Sequence, residues 1–209
     1  MADGPCDLAF AQEAEKDGIV LAEPWFNWLC EQGHLGLDRI ADESEDDEII
    51  DRAVRPVEVL SEIYSDLGGD LAVRYSCRGN MFIPGDFVHE PTNTLIEVDE
   101  AFHFTSFRLL TLDLYPKDIE LGFDIDEYRD LCRKLAPDYD RYKRAVAAKG
   151  FGIGGVQRER AYQDAIRDLG AAVVGHPPVI RIPAIDGDGA AAYARSRDAL
   201  LKRLGTPAR

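Results

Sequence analysis

The clearest pattern in the chain lies between Thr94 and Arg108, where Ile96 and Val98 alternate with Glu97 and Asp99. A period of two predicts a strand over Thr94 to Asp99, with the apolar pair on one face and the acids on the other. Leu71 to Cys77 and Phe82 to Val88 read as two more strands, joined through Arg78-Gly79-Asn80 and Glu90-Pro91-Thr92-Asn93. The three form an expected antiparallel meander. Helical spacing marks other stretches. Leu8, Phe10, Ala11 and Ala14 begin one helix; Pro24 opens another that carries Trp25, Trp28 and Leu29 and ends at Gly33. Pro56 opens a third, with Val57, Leu60, Ile63, Tyr64 and Leu67 as its stripe and Gly68-Gly69 as its stop. Phe104 to Leu114 fits helix or strand. Asp126 to Leu135 reads as a helix stopped by Pro137, and Asp140 to Lys149 as a second, basic one. The run Gly150 to Gly155 reads as a flexible connector. Gln157 to Leu169 is amphipathic, Val179 to Ile182 is a short buried strand, and Ala190 to Leu204 is a closing helix. A sheet flanked by helices gives an α/β (α+β) class.

Charge changes this picture more than composition does. The 209 residues carry a formal charge of -15, but residues 1–51 hold fifteen acids against two bases, Lys16 and Arg39. Arg129 to Arg167 holds ten bases against five acids. The chain therefore has an acidic front, a nearly neutral middle and a basic stretch. The acidic run Asp42 to Glu48 reads as a solvated loop or as the front turn of a helix ending near Ala53. It is also a candidate phosphate mimic or protein-binding segment. The expected organisation is an acidic helical segment over 1–55 and a domain over 56–209 with a helical insert at about 105–155.

Cys6, Cys30, Cys77 and Cys132 are far apart and form no Cys-x-x-Cys, which fits a reducing, cytoplasmic setting without a zinc knuckle. No apolar run reaches the ~18 residues of a membrane span, and Met1 to Ala9 lacks the layout of a signal peptide.

Glu97 and Asp99 share a strand face, and Asp86 ends the neighbouring strand. Such a carboxylate set suits a hard divalent cation. The alternative is a row of solvated acids, although acids interrupting an apolar β-branched run argue against it. Glu58 and Glu62, one helical turn apart, share a face of the helix that precedes this sheet.

With Asp86-Phe87 followed by Ile96-Glu97-Val98-Asp99-Glu100-Ala101-Phe102-His103, the stretch resembles the PD-(D/E)XK restriction-endonuclease-like superfamily. It is closest in pattern to the very-short-patch-repair endonuclease branch, with Glu100 where that branch has glycine. Arg158 to Asp168, then Gly170 or Gly175, then Val179-Ile180-Arg181 fit the branch's downstream helix, glycine and strand loosely. The likeness covers roughly residues 56–104 and 156–184. It implies a central mixed sheet flanked by helices and a Mg2+- or Mn2+-dependent endonuclease that hydrolyses phosphodiester bonds in DNA, in restriction, repair or defence.

The resemblance also implies roles. Asp86 and Glu97 are the metal ligands, with a backbone carbonyl near Val98. Asp99 stands where the wider superfamily has lysine, and becomes a further ligand or orients His103. His103 is the general base or acid. Glu58 and Glu62 compete for the glutamate of the first helix. Arg108, Gln157, Arg158 and Arg160 are candidate phosphate contacts. DNA is the expected partner; a homodimer is a further candidate, since many enzymes of this kind cut both strands as dimers. Two other readings stay open: an inactive nuclease fold that binds nucleic acid or protein, and an acidic inhibitor or DNA mimic built on residues 1–51.

Overall fold

The computed structural model describes residues 4–24, 47–76, 83 and 85–205. Seven helices occur among these residues: α1 (Pro5–Lys16), α2 (Asp47–Asp66), α3 (Leu71–Ser76), α4 (Ser106–Asp113), α5 (Ile125–Tyr139), α6 (Val156–Val173) and α7 (Gly189–Leu204). The strands are β1 (Phe87–His89), β2 (Thr94–Glu100), a short hairpin of β3 (Ala147–Ala148) and β4 (Gly152–Ile153), and β5 (Ile180–Ala184). The class is mixed α and β.

The main sheet has the order β1-β2-β5. β1 runs antiparallel to β2, with Phe87 opposite Ile96, and β5 runs parallel to β2, with Glu97 opposite Arg181. A parallel neighbour needs a crossover, and α6 lies within it. Each face of β2 meets a different core. Ile96 and Val98, with Ile180 and Ile182 of β5, pack on Phe10 of α1 and Tyr193, Leu200 and Leu204 of α7. On the opposite side Leu60, Tyr64, Phe104, Tyr128, Tyr162 and Ile166 join α2, α4, α5 and α6 into a second core. Glu97, Asp99 and Arg181 face that side as buried charges.

The alternation over β2, the strand near Val179 to Ile182 and the helices over 157–169 and 190–204 are as expected. Other expectations need correction. Leu71 to Ser76 is helix rather than strand, because Asp70 Oδ1 accepts hydrogen bonds from the amides of Ala72 and Val73 and caps a turn there. The sheet is consequently not a three-strand meander among the described residues; its third strand is the distant, parallel β5. The basic segment from Asp140 is not a helix. It forms turns through Ala145 and then the β3–β4 hairpin. Lys143 has φ 53°, which a right-handed helix cannot hold, and Gly150 at φ 79° turns the hairpin where a side chain would overlap the Tyr64 hydroxyl. Helix α5 also runs past Pro137 to Tyr139, since a proline so near the C-terminal end costs only one hydrogen bond. Helix α2 contains Pro56 rather than starting at it, so the expected boundary at 55/56 falls inside a helix. The helix expected from Pro24, with Trp25 and Trp28, lies outside the described residues, as do the acids of 42–46 and the 78–80 turn. Among the described residues no helix is long and apolar enough to cross a membrane.

Candidate functional site

Asp86 immediately precedes β1, and its Oδ2 accepts a hydrogen bond from the amide of Val98 at 2.9 Å. In return Glu97 Oε1 accepts one from the amide of Asp86 at 3.3 Å. The pair is thus fixed across the β1–β2 ladder by backbone donors on both sides. Gly85 makes room for this, because a Cβ there would stand 2.8 Å from Glu97 Oε1.

Asp86 and Glu97 open onto a pocket of about 280 Å3. Asp7 of α1, Glu100, His103 and three residues of α6, Arg160, Asp164 and Arg167, complete its charged lining. On α6, Arg160, Gln163, Asp164 and Arg167 fall at helical spacing and turn to one side. Beside the pocket the Arg160 guanidinium lies over the Phe102 ring at 4.5 Å, and Phe102 stacks on Tyr142 with centroids 5.3 Å apart.

Burial raises the carboxyl pKa of Glu97 to about 8, with the Asp86 charge adding to it and Arg167 opposing. Burial likewise raises Asp86, partly offset by the Val98 amide. Arg167 Nε stands 3.6 Å from Glu97 Oε1. Asp7 is pushed up to about 6 by burial and by Asp86.

Behind the pocket lies a buried ion network centred on Arg181 of β5. Its Nε donates to Asp168 at 2.7 Å, one terminal nitrogen to both oxygens of Asp99 at 3.1 Å, and the other to Asp164 at 3.1 Å. Asp168 also accepts from Arg108 at 2.7 Å and from the Tyr115 hydroxyl at 2.8 Å. Tyr128 donates to Asp99 at 3.0 Å. His103 Nδ1 bridges toward Asp99 at 3.1 Å and Asp164 at 3.8 Å. Burial alone would lower the His103 pKa, but the Asp164 and Asp99 carboxylates outweigh it and push it up to about 9. His103 is therefore an imidazolium at neutral pH. Asp99 is held well below the usual carboxylate range: its burial is outweighed by Arg181 and then by His103.

Several site residues expected from the sequence converge here. Asp86 and Glu97 face the pocket, and His103 joins them. Asp99 is on the same face as Glu97 but is turned into the Arg181 network, where it orients His103. Others stand elsewhere. Arg108 is buried against Asp168 and is not available as a phosphate contact. Gln157 is buried too, its amide donating to the carbonyls of Phe102 and Tyr139. Arg158 is committed to the carbonyls of Leu67 and Phe151. Of the four expected phosphate contacts, Arg160 lines the pocket. Glu58 and Glu62 are exposed on α2 and do not line it. The network residues Asp164, Asp168 and Arg181, with Asp7 and Arg167, were not among the expected site residues. The available signal was charge at core positions: Arg181 interrupts Val179 to Ile182, and Asp164 and Asp168 fall in the most buried turn of α6.

Two donor sets bear on a metal. Asp99, His103 and Asp164 bring ligand atoms within 4.8 Å of one another. Their fit is poor, because Arg181 already donates to both carboxylates and His103 is itself cationic. Asp86 and Glu97 fit a hard cation better: their oxygens are buried and, among the described residues, bonded to backbone amides and the offset Arg167.

A family model described as a family of unknown function (DUF7255) matches residues 62–152. That segment carries Asp86, Glu97, Asp99 and His103 and stops short of α6 and β5. No curated protein and no solved structure matches the chain.

Proposed function

We propose that the pocket is the active site of a divalent-cation-dependent endonuclease acting on DNA, built on a restriction-endonuclease-like core. The observation that carries this reading is Asp86 and Glu97, locked across β1 and β2, facing Arg160 and Arg167 of α6 in one pocket. The topology supports it: an acid at the start of one strand, a second acid within its antiparallel neighbour, then a helix and a parallel strand. When Mg2+ or Mn2+ is bound, Asp86 and Glu97 hold it, and it supplies Lewis-acid charge at the scissile phosphate and a more acidic water.

The chain's own residues do the rest. Arg160 binds a phosphate oxygen across from the acids, and Arg167 holds Glu97 and Asp164 in place beside it. His103, held protonated by Asp99 and Asp164, donates a proton to the leaving oxygen, so it acts as acid rather than base. Phe102 and Tyr142 offer a ring face to a nucleobase next to the cut.

A second reading has two observations in its favour. Arg167, 3.6 Å from Glu97, partly neutralises that carboxylate without any cation, and Asp99 replaces the superfamily's lysine. An inactive binding module of the same fold would look like this.

The test is plasmid and linear DNA cleavage with Mg2+ or Mn2+, alongside calorimetric titration of the metal. Cleavage that falls roughly 100-fold or more in Asp86→Asn and in Glu97→Gln supports the nuclease. DNA binding without cleavage or metal uptake supports the module. Cleavage equal to wild type in both variants removes the pocket from the chemistry.

A further inference from the structure

From Arg141 to Arg158 the chain holds five bases and no acid, although its overall charge is -15. This stretch forms the turns after α5 and then the β3–β4 hairpin. The root of the hairpin is fixed to the core. Phe151 is buried against Tyr64, with centroids 4.7 Å apart. The Gly150 carbonyl accepts from the Asp70 amide at 2.8 Å, and the Phe151 carbonyl accepts from Arg158 at 3.1 Å. The entry turn is fixed as well: Gln157 donates to the Tyr139 carbonyl, and Tyr142 stacks on Phe102 at the pocket.

The outer face of the hairpin is bare. Ala147 and Ile153 stand opposite each other in the ladder, so their side chains share a face. Both are exposed, Ile153 to 78 %. Val146, just before β3, is 48 % exposed. Gly152 and Gly154 flank Ile153 in left-handed backbone, so no side chain next to it in the chain shields it. One exposed apolar residue is ordinary. Here three apolar positions sit together on a short ribbon, and Arg141, Lys143, Arg144 and Lys149, all exposed, accompany them in the same segment. The Asp140 and Asp70 carboxylates at its margins are engaged by the amides of Ser106, and of Ala72 and Val73.

An apolar tip carried by bases without acids fits a polyanion that has an apolar lining. The minor groove of duplex DNA is such a place, with phosphates along its rims and sugars in its walls. Ile153 has no donor or acceptor with which to read the major-groove pattern, and between two glycines it is slim enough for the narrower groove. We infer that the β3–β4 hairpin is a DNA-groove arm: Ile153 enters the minor groove, and Arg141, Lys143, Arg144 and Lys149 hold the neighbouring phosphates. This rests on DNA as the substrate and adds a contact outside the pocket. Through the Tyr142–Phe102 stack the arm is tied to the pocket wall, so a duplex held by the arm is presented to Asp86 and Glu97.

The experiment uses the full chain and an A·T-rich duplex, with anisotropy measured in EDTA across a KCl series. Ile153→Ser binds about tenfold more weakly than wild type with an unchanged salt slope, because the lost contact is apolar and releases no counterion. Ile153→Leu restores most of the affinity. Netropsin, which fills the minor groove, weakens wild type and has little further effect on Ile153→Ser. Thermal unfolding of both variants matches wild type, since the side chain is exposed. Equal affinity of Ile153→Ser and wild type, or binding indifferent to netropsin, overturns the arm; Mg2+-dependent cleavage that is lost in Asp86→Asn then leaves the nuclease standing. Unchanged DNA affinity in Ile153→Ser with a changed sedimentation coefficient gives the patch to a protein contact and overturns the arm as well. Absence of both duplex binding and cleavage in wild type removes the nuclease reading together with this inference.

Discussion

His103 shows how far a side chain's chemistry depends on groups remote in sequence. Two acids pull its proton affinity above the value for a free imidazole, and the folded protein gains stability from that shift. The sign follows from linkage: a raised folded pKa contributes fully below the ordinary value of 6.5 and is lost as pH rises through about 9. An NMR titration of the imidazole is expected to give a midpoint near 9, and Asp164→Asn should lower it. A midpoint below 6.5, as burial alone would produce, would remove the imidazolium and its role as acid. Asp168 offers a second test. It neutralises Arg108 and Arg181 at once, so Asp168→Ala leaves two buried guanidinium groups sharing fewer acids. A loss of about 3–5 kcal/mol in urea unfolding is expected. A loss under about 1 kcal/mol would mean that solvent reaches the network. At this scale the sequence revealed Glu97 and Asp99 as same-face acids, because alternation is local. It could not separate their roles, since the partner that captures Asp99 is Arg181, 82 positions away.

Elements were legible where their own periodicity matched their burial. Helices α6 and α7 carry apolar stripes that continue to their ends, and β2 alternates because its two faces meet different neighbours. Leu71 to Ser76 was illegible as helix, since its residues suit a strand and only the Asp70 cap decides between them. The segment after Asp140 was illegible for a related reason: its composition favours helix, but Lys143, Gly150, Gly152 and Gly154 adopt left-handed backbone. The docking of α1 on α7 is a property of two elements at opposite ends of the chain, and one glycine permits it. Gly189→Ala forces the Cys6 carbonyl away from α7, in backbone that cannot yield by rotating a side chain. A loss of about 1–3 kcal/mol is expected in thermal or urea unfolding. A variant as stable as wild type would mean that α1 shifts on α7 freely, and that the hydrogen bonds from Arg197 and Tyr193 to Asp17 are of little consequence.

At the scale of the molecule, a chain of charge -15 is expected to bind DNA only through a local concentration of bases. The structure redistributes those bases. Arg108, Arg158 and Arg167 are turned inward. In contrast, Arg141, Lys143 and Arg144 are exposed on the turn after α5, around Tyr142, which stacks on Phe102 at the pocket. The basic stretch seen in the sequence is therefore divided: its later part, within α6, holds the site together, and its middle part faces solvent beside the site. If that turn guides DNA toward the acids, it does so through phosphates, and binding must weaken with salt by counterion release. Each phosphate contact contributes roughly 0.9 to the slope of log affinity against log salt, so replacing Arg141, Lys143 and Arg144 by serine should flatten that slope by about 2–3. The triple variant should keep its stability, because none of the three side chains is buried. Its loss of affinity should be similar for unrelated DNA sequences, since phosphate contacts carry no sequence information. An unchanged salt slope would move the DNA path off this turn and leave the Phe102–Tyr142 stack without a nucleobase to receive.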